Sequence, residues 1–231
     1  MIYEITTHRA EAYTDDSRKP HVDFADEIET DLSRRDFTIN AMALELTSPT
    51  PTSSIRSAAL PIWRLERLRT PLSPEVSFSD DPLRMLRAAR FIAGYQLQPV
   101  PELVAAVRGD ARPAWRSCRP SGSATSSTSS SPSTIPTAGL WFVIETGLAD
   151  EFLPELPAMR LEQDPIHRHK DVLTHTIAVV ENVRARRPAR ASTSDGLALP
   201  LFHDVGKPQT RWYQQGARVS TFHHHDAVGR G

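Results

Sequence analysis

The sequence predicts an α+β chain: a short strand-bearing part at the N-terminal end, then a remainder that is mostly α-helical. Three observations carry this. "IYEITTHRAEAY" alternates loosely between apolar and polar residues, as a half-buried strand does. "DDPLRMLRAARFIAGYQL" reads as a helix: Asp80 or Asp81 can cap it, Pro82 suits the first turn, and Gly94 falls near the end. "GLWFVIETGLADEFLPEL" and "DVLTHTIAVVENVRA" carry apolar residues at spacings of three and four, the helical period.

Taken in order, the first strand is followed by "SRKPHVDFADEIETDLSRRD", polar and loop-like. Its acids lead into "FTINAMALEL", expected to be a buried helix or a helix passing into a strand. The helix over 80–97 comes next, and "PELVAAV" continues helically. "PLFHDVGKP" starts as the apolar end of a helix that Gly206 and Pro208 stop. Two stretches break the pattern. Residues 51–66 and 111–139 lack an apolar period, and the second is rich in Ser, Thr and Pro, the composition of a flexible linker.

With 231 residues the chain has room for one or two domains, and 39% hydrophobic with 24% charged residues is ordinary globular composition. The net charge of -1 sets up no global basic field, so any contact with nucleic acid must come from a local patch. Cys118 is the single cysteine, which excludes an internal disulfide and a cysteine metal cage and suits a reducing cytoplasm. No apolar run reaches the roughly 18 residues of a membrane helix. The start, "MIYEITTHRAEAY", has no basic region followed by an apolar one, so no signal peptide and no membrane partner are expected.

Two constellations carry chemistry. Arg84, Arg87 and Arg90 are spaced by three, so successive guanidiniums turn by about 60° and stay on one side of a helix. Like charges at that spacing repel. They make sense beside something anionic or planar, because arginine forks match phosphate oxygens and base edges. Asp81, one turn before Arg84, can accept from a base amine or brace that arginine. A solvated, partly basic helix face is the alternative. Upstream, Arg34, Arg35 and Asp36 open a buried element and could take a triphosphate and a ribose hydroxyl, with Asn40 one turn on. A charged helix cap without ligand is the alternative there. The second constellation is histidine-rich: His175 in "DVLTHTIAVV", His203 and Asp204 in "LFHDVGKP", and His223, His224 and His225 in "TFHHHDAVG". Imidazoles and a carboxylate from separate helices suit a divalent transition metal.

"RRDFTINAMA" followed by "DDPLRMLRAARF" strongly resembles the class II tRNA nucleotidyltransferases (the CCA-adding enzymes) and the related bacterial poly(A) polymerases. The resemblance covers 1–110 and 139–231, with gaps. It implies that Arg34, Arg35 and Asp36 hold the ribose and phosphates of the incoming nucleotide. It implies that Asp81, Arg84, Arg87 and Arg90 form an amino-acid template, in which an Asp and an Arg pair with the base edge of CTP or ATP. The histidine series resembles an HD domain. Residue by residue His175, His203 and Asp204 match its first ligand and its His-Asp doublet, and His225 is a weaker match to a later ligand.

The resemblance implies a partial nucleotidyltransferase head (1–66), a helical neck with base recognition (67–110), an aberrant segment (111–138) and an incomplete HD-like helical domain (139–231). It implies tRNA, ATP and CTP as partners and magnesium as cofactor. The paired carboxylates that hold magnesium in the family lie after a Gly-rich turn that has no match here. Asp15 and Asp16 are adjacent rather than spaced by two on a strand. The chain is therefore expected to begin inside the catalytic head and to be inactive alone in nucleotide addition. The two odd stretches, back-translated with GC-rich codons and read in a shifted frame, can yield the neck helix and the loop that the family carries there. Frame shifts are the expected origin of both, and 186–200 is a third candidate. The functions in view are CCA addition, poly(A) addition, an HD-type metal phosphohydrolase on a scaffold, and a non-catalytic RNA-binding remnant.

Overall fold

The structure, a computed structural model, describes residues 9–12, 21–24, 28–43, 66–117, 136–161, 171–186, 200–213 and 220–229. The chain divides into two compact units. The first comprises Met1–Ile92 and Leu97–Cys118, the second Ala93–Gln96 and Arg119–Gly231. The elements are mixed and helix-rich with few strands, as α+β predicts.

In the first unit, β1 (Arg9–Ala12) pairs antiparallel with β2 (His21–Phe24), Arg9 opposite Phe24. The stretch read as a polar loop therefore holds a strand, and it also holds α1 (Ile28–Ser33). The reason is local: "HVDF" alternates over only four residues, and α1 has one apolar pair, Ile28 and Leu32, at helical spacing. Both are too short to stand out among charges. A 3₁₀ turn, Thr38–Asn40, follows. The helix expected over "FTINAMALEL" is thus a single tight turn as far as residue 43, and the rest of that stretch lies outside the described residues.

The turn is pinned from a distance. The backbone amide and hydroxyl of Thr38 both donate to the carbonyl of Arg69, at 2.8 and 3.2 Å. Arg69 follows β3 (Arg67–Leu68), which runs parallel to β4 (Gln98–Pro99). Between them lie α2 (Pro74–Asp80) and α3 (Leu83–Tyr95). Ser73 caps α2 and Pro74 occupies its first turn. The acidic pair read as one cap ends α2 at Asp80, and Asp81 starts α3 by accepting from the Leu83 amide at 3.0 Å. Met85, Ala88 and Ile92 are the buried face of α3, which leaves the three-spaced arginines on another side. The α4 helix (Pro101–Ser117) packs on α2 and buries Leu103, Ala106 and Val107. It runs on past Pro113, seven residues into the stretch expected to be aberrant from 111; residues 118–135, like the other odd stretch over 51–65, lie outside the described residues.

In the second unit, α5 (Pro136–Glu145) ends where Gly147 takes a positive φ of 78°, which a side chain would resist. Two short helices follow, α6 (Ala149–Phe152) and α7 (Glu155–Ala158). The α8 helix (Val172–Arg186) packs against α5; Asp171 caps it by accepting from Thr174 N at 2.6 Å. Phe142, Leu148, Leu156, Met159, Leu173 and Val180 form the core. Residues 200–202 are helical and lead through His203 to α9 (Lys207–Thr210). A hairpin of β5 (Arg211–Tyr213) and β6 (Ser220–Phe222) then leads to α10 (His225–Val228). No described helix is long and apolar enough to cross a membrane.

Candidate nucleotide site and histidine cluster

The two arginine motifs meet in the first unit. Asp36 is buried at the mouth of the 3₁₀ turn. Its Oδ1 accepts from its neighbour's amide, Phe37 N, at 2.8 Å and from Asn40 Nδ2 at 3.0 Å. Its Oδ2 accepts from Arg87, from Nε at 2.9 Å and also from Nη2. Both nitrogens meet one oxygen, a charge-assisted pair, while Oδ1 is held by Phe37 N and Asn40. Arg84 ties the same elements together: its Nη2 donates to the Arg34 carbonyl at 2.8 Å, and its Nη1 to Ser77 Oγ at 2.9 Å. Phe37, next to Asp36, and Phe91 pack tilted at 5.2 Å between centroids.

Three of the four residues expected to form a template therefore have defined partners. Asp81 caps α3, Arg84 reaches the backbone of the arginine motif, and Arg87 reaches its aspartate. Arg90 lies on the same helix, one turn beyond Arg87. The repulsion expected among the arginines is relieved for Arg87 by Asp36 and for Arg84 by neutral oxygens.

A residue that sequence reasoning passed over holds the other side. Asp31 is buried on α1 and spans both arginines of the motif. Its Oδ1 accepts from Arg34 Nη2 at 2.7 Å, and its Oδ2 from Arg35 Nη2 at 2.8 Å and Nε at 3.2 Å. The signal was present as spacings of three and four on one helical turn.

In the second unit the structure brings His175, His203 and Asp204 together, with ligand atoms within 4.8 Å of one another. His225 joins them, its Nε2 3.7 Å from Asp204 Oδ1. His203 Nε2 lies 3.2 Å from Asp204 Oδ2. The far ring nitrogens are held by backbone: His203 Nδ1 donates to Pro200 O at 2.7 Å, and His225 Nδ1 to Phe222 O at 2.9 Å. A carbonyl only accepts, so both Nδ1 atoms carry the hydrogen. In the neutral rings Nε2 then bears the lone pair on the side of Asp204, the arrangement that metal-binding histidines adopt. His224, just before α10, takes the left-handed conformation at φ 61° and turns the chain so that His225 faces the cluster. Lys207, also passed over, donates to Asp204 Oδ2 at 2.8 Å.

Comparison with known proteins bears on the first motif directly. Residues 1–53 match the family model of the Poly A polymerase head domain. An A-adding tRNA nucleotidyltransferase of Deinococcus radiodurans is 33% identical over 217 residues, 87% of this chain and 46% of that protein. The chain resembles the CCA-adding enzymes and poly(A) polymerases, and its residues 1–53 carry the head-domain match. Within that family, the CCA-adding enzyme of Bacillus subtilis is 42% identical over 103 residues, 43% of this chain and 25% of its own. That of Lactobacillus johnsonii is 39% identical over 108 residues, 46% of this chain and 26% of its own. The chain spans just under half the length of the Deinococcus nucleotidyltransferase. A solved CCA-adding enzyme of Bacillus stearothermophilus in complex with CTP aligns at a TM-score of 0.43 and 20% identity over 97% of this chain and 62% of that one, a score that adds nothing to the assignment.

Proposed function

We propose that the chain serves template-independent nucleotidyl transfer, adding CMP and AMP from CTP and ATP to the 3′ end of tRNA in the cytoplasm. The observation that carries this reading is the ion pair between Asp36 and Arg87, two guanidinium nitrogens on one carboxylate oxygen, which joins the two motifs. In this reading Arg34, Arg35, Asp36 and Asn40 take the ribose and phosphates, and Asp81, Arg84, Arg87 and Arg90 face the base and remaining phosphates. Charge-assisted forks of this kind bind phosphate oxygens strongly. The long match to an A-adding enzyme favours AMP addition as the narrower alternative.

Magnesium belongs to the family's chemistry, but the two buried acids of the arginine motif do not fit a two-metal centre. Asp31 and Asp36 are each closed in arginine pairs. Titration calorimetry with ATP and CTP tests the nucleotide reading. Wild type should bind both, and Arg84→Ala should weaken both by about tenfold, the cost of one charge-assisted contact. Equal affinity in that variant would remove Arg84 from the site.

A second reading concerns the histidine cluster. His175, His203 and Asp204, with His225, would hold a divalent transition metal in an HD-like body. Such an ion, once bound, supplies a Lewis acid and an activated water for phosphoester hydrolysis. The fit rests on the Nδ1–carbonyl bonds that leave Nε2 available to a metal.

A further inference from the structure

We infer that Asp31 is a positioning residue for nucleotide binding: its buried carboxylate sets the two guanidiniums of Arg34 and Arg35 in the array that receives the triphosphate. The inference rests on the nucleotide reading of that site and adds to it a residue that touches no ligand.

The geometry is specific. Arg34 and Arg35 are neighbours in sequence, so their side chains leave the backbone in different directions. Both nevertheless end on one carboxylate, Arg34 on Oδ1 and Arg35 on Oδ2 by two nitrogens. The carboxylate side chain is 9% exposed, whereas those of Arg34 and Arg35 are 25% and 48% exposed. A buried anion thus anchors two partly exposed cations. Unanchored arginines on this surface would have to give up rotamer freedom when an anion binds, and an array held beforehand has already done so. Asp31 itself sits one helical turn before the arginines on α1, and its neighbour Leu32 is buried, which fixes that turn.

Bulk electrostatics and positioning predict opposite signs for the same change. Asp31→Asn removes a negative charge beside a site for a polyanion. By charge alone it should tighten ATP binding. If Asp31 acts by holding the arginines, the neutral amide, which cannot accept from both guanidiniums as a carboxylate does, should weaken it.

The test is equilibrium binding of ATP and of adenosine to wild type, Asp31→Asn and Asp31→Glu, with thermal unfolding recorded for each. We expect Asp31→Asn to weaken ATP by about tenfold while leaving adenosine within about twofold, because the lost order lies on the phosphate side. Asp31→Glu, which keeps the charge and displaces it by one methylene, should fall between the two. Unchanged or tighter ATP binding in Asp31→Asn overturns the inference and leaves the nucleotide reading standing. Parallel loss of ATP and adenosine with a lowered unfolding temperature makes Asp31 merely structural and also overturns it. If Asp31→Asn does not fold, Asp31→Glu decides alone: ATP affinity equal to wild type overturns the inference. A wild type that binds no ATP defeats the nucleotide reading, and the inference falls with it.

Discussion

The Arg87 guanidinium closes with two nitrogens on the buried carboxylate of Asp36, a partner 51 positions earlier in the chain. This pair is the hinge of the first unit's candidate site. It neutralises a charge that burial would otherwise penalise, and it fastens α3 to the turn that carries the arginine motif.

Arg87→Met should therefore destabilise the first unit. It leaves Asp36 with Phe37 N and Asn40 Nδ2 as the described donors, and losing a charged partner from a buried group costs about 1–3 kcal/mol. Adding Asp36→Asn to Arg87→Met should recover part of that loss, since the uncompensated charge goes with it. Urea unfolding of the two single variants and the double variant checks this; strictly additive losses would mean that the pair is not coupled.

Phe37 is fully buried and packs tilted against Phe91. Phe37→Ala should cost about 3–5 kcal/mol, the usual penalty for an aromatic truncated in a core. It should also loosen the turn and so weaken ATP binding. Chemical unfolding and calorimetry on the same preparation would show both effects, and a loss under about 1 kcal/mol would contradict the packing described.

Metal should bind at the histidine cluster. Wild type is expected to take up Mn²⁺ with a rise in unfolding temperature, and Asp204→Asn or His203→Ala should remove the rise. Electron paramagnetic resonance of free Mn²⁺ measures the uptake. No uptake by wild type would reduce the cluster to a structural network of imidazoles, Asp204 and Lys207.

Gly206 is confined by α10. A Cβ there would lie 2.1 Å from the His225 carbonyl oxygen and 3.0 Å from Gly229 N, both backbone atoms with little room to give. Gly206→Ala should displace α10, draw His225 from Asp204 and lower Mn²⁺ affinity as well as stability. If only stability falls, His225 takes no part in holding the metal.

The helices of this chain were legible because their apolar period is local. The α3 and α8 helices read directly, down to a capping aspartate for α3. The strand β2 and helix α1 were missed because four or six residues give too few repeats of any period, and their charges resemble a loop. Gly206 and Pro208, read as the stop of the helix that carries the His-Asp doublet, instead begin one: the preceding helical turn ends at Phe202, Gly206 is the N-cap of α9 and Pro208 lies in its first turn. The stretch from 111, read as lacking an apolar period, is helical in its first seven residues: α4 continues through Pro113 to Ser117, carried by the packing of its earlier turns on α2.

By itself the sequence pointed to the family, through the order of "RRDFTINAMA" and "DDPLRMLRAARF", and it named the arginines, Asp36, Asp81, Asp204 and the histidines as worth attention, while passing over Asp31 and Lys207. Residue type and spacing along one helix suffice for that. Only the tertiary structure decided who holds whom. Asp36 takes Arg87 as its charged partner, Arg84 reaches a backbone carbonyl of the arginine motif, and His225 closes on Asp204 across a hairpin. Such pairings join positions far apart in the chain, and the chain's path, set by burial of Phe37, Met85 and Leu173, brings them together.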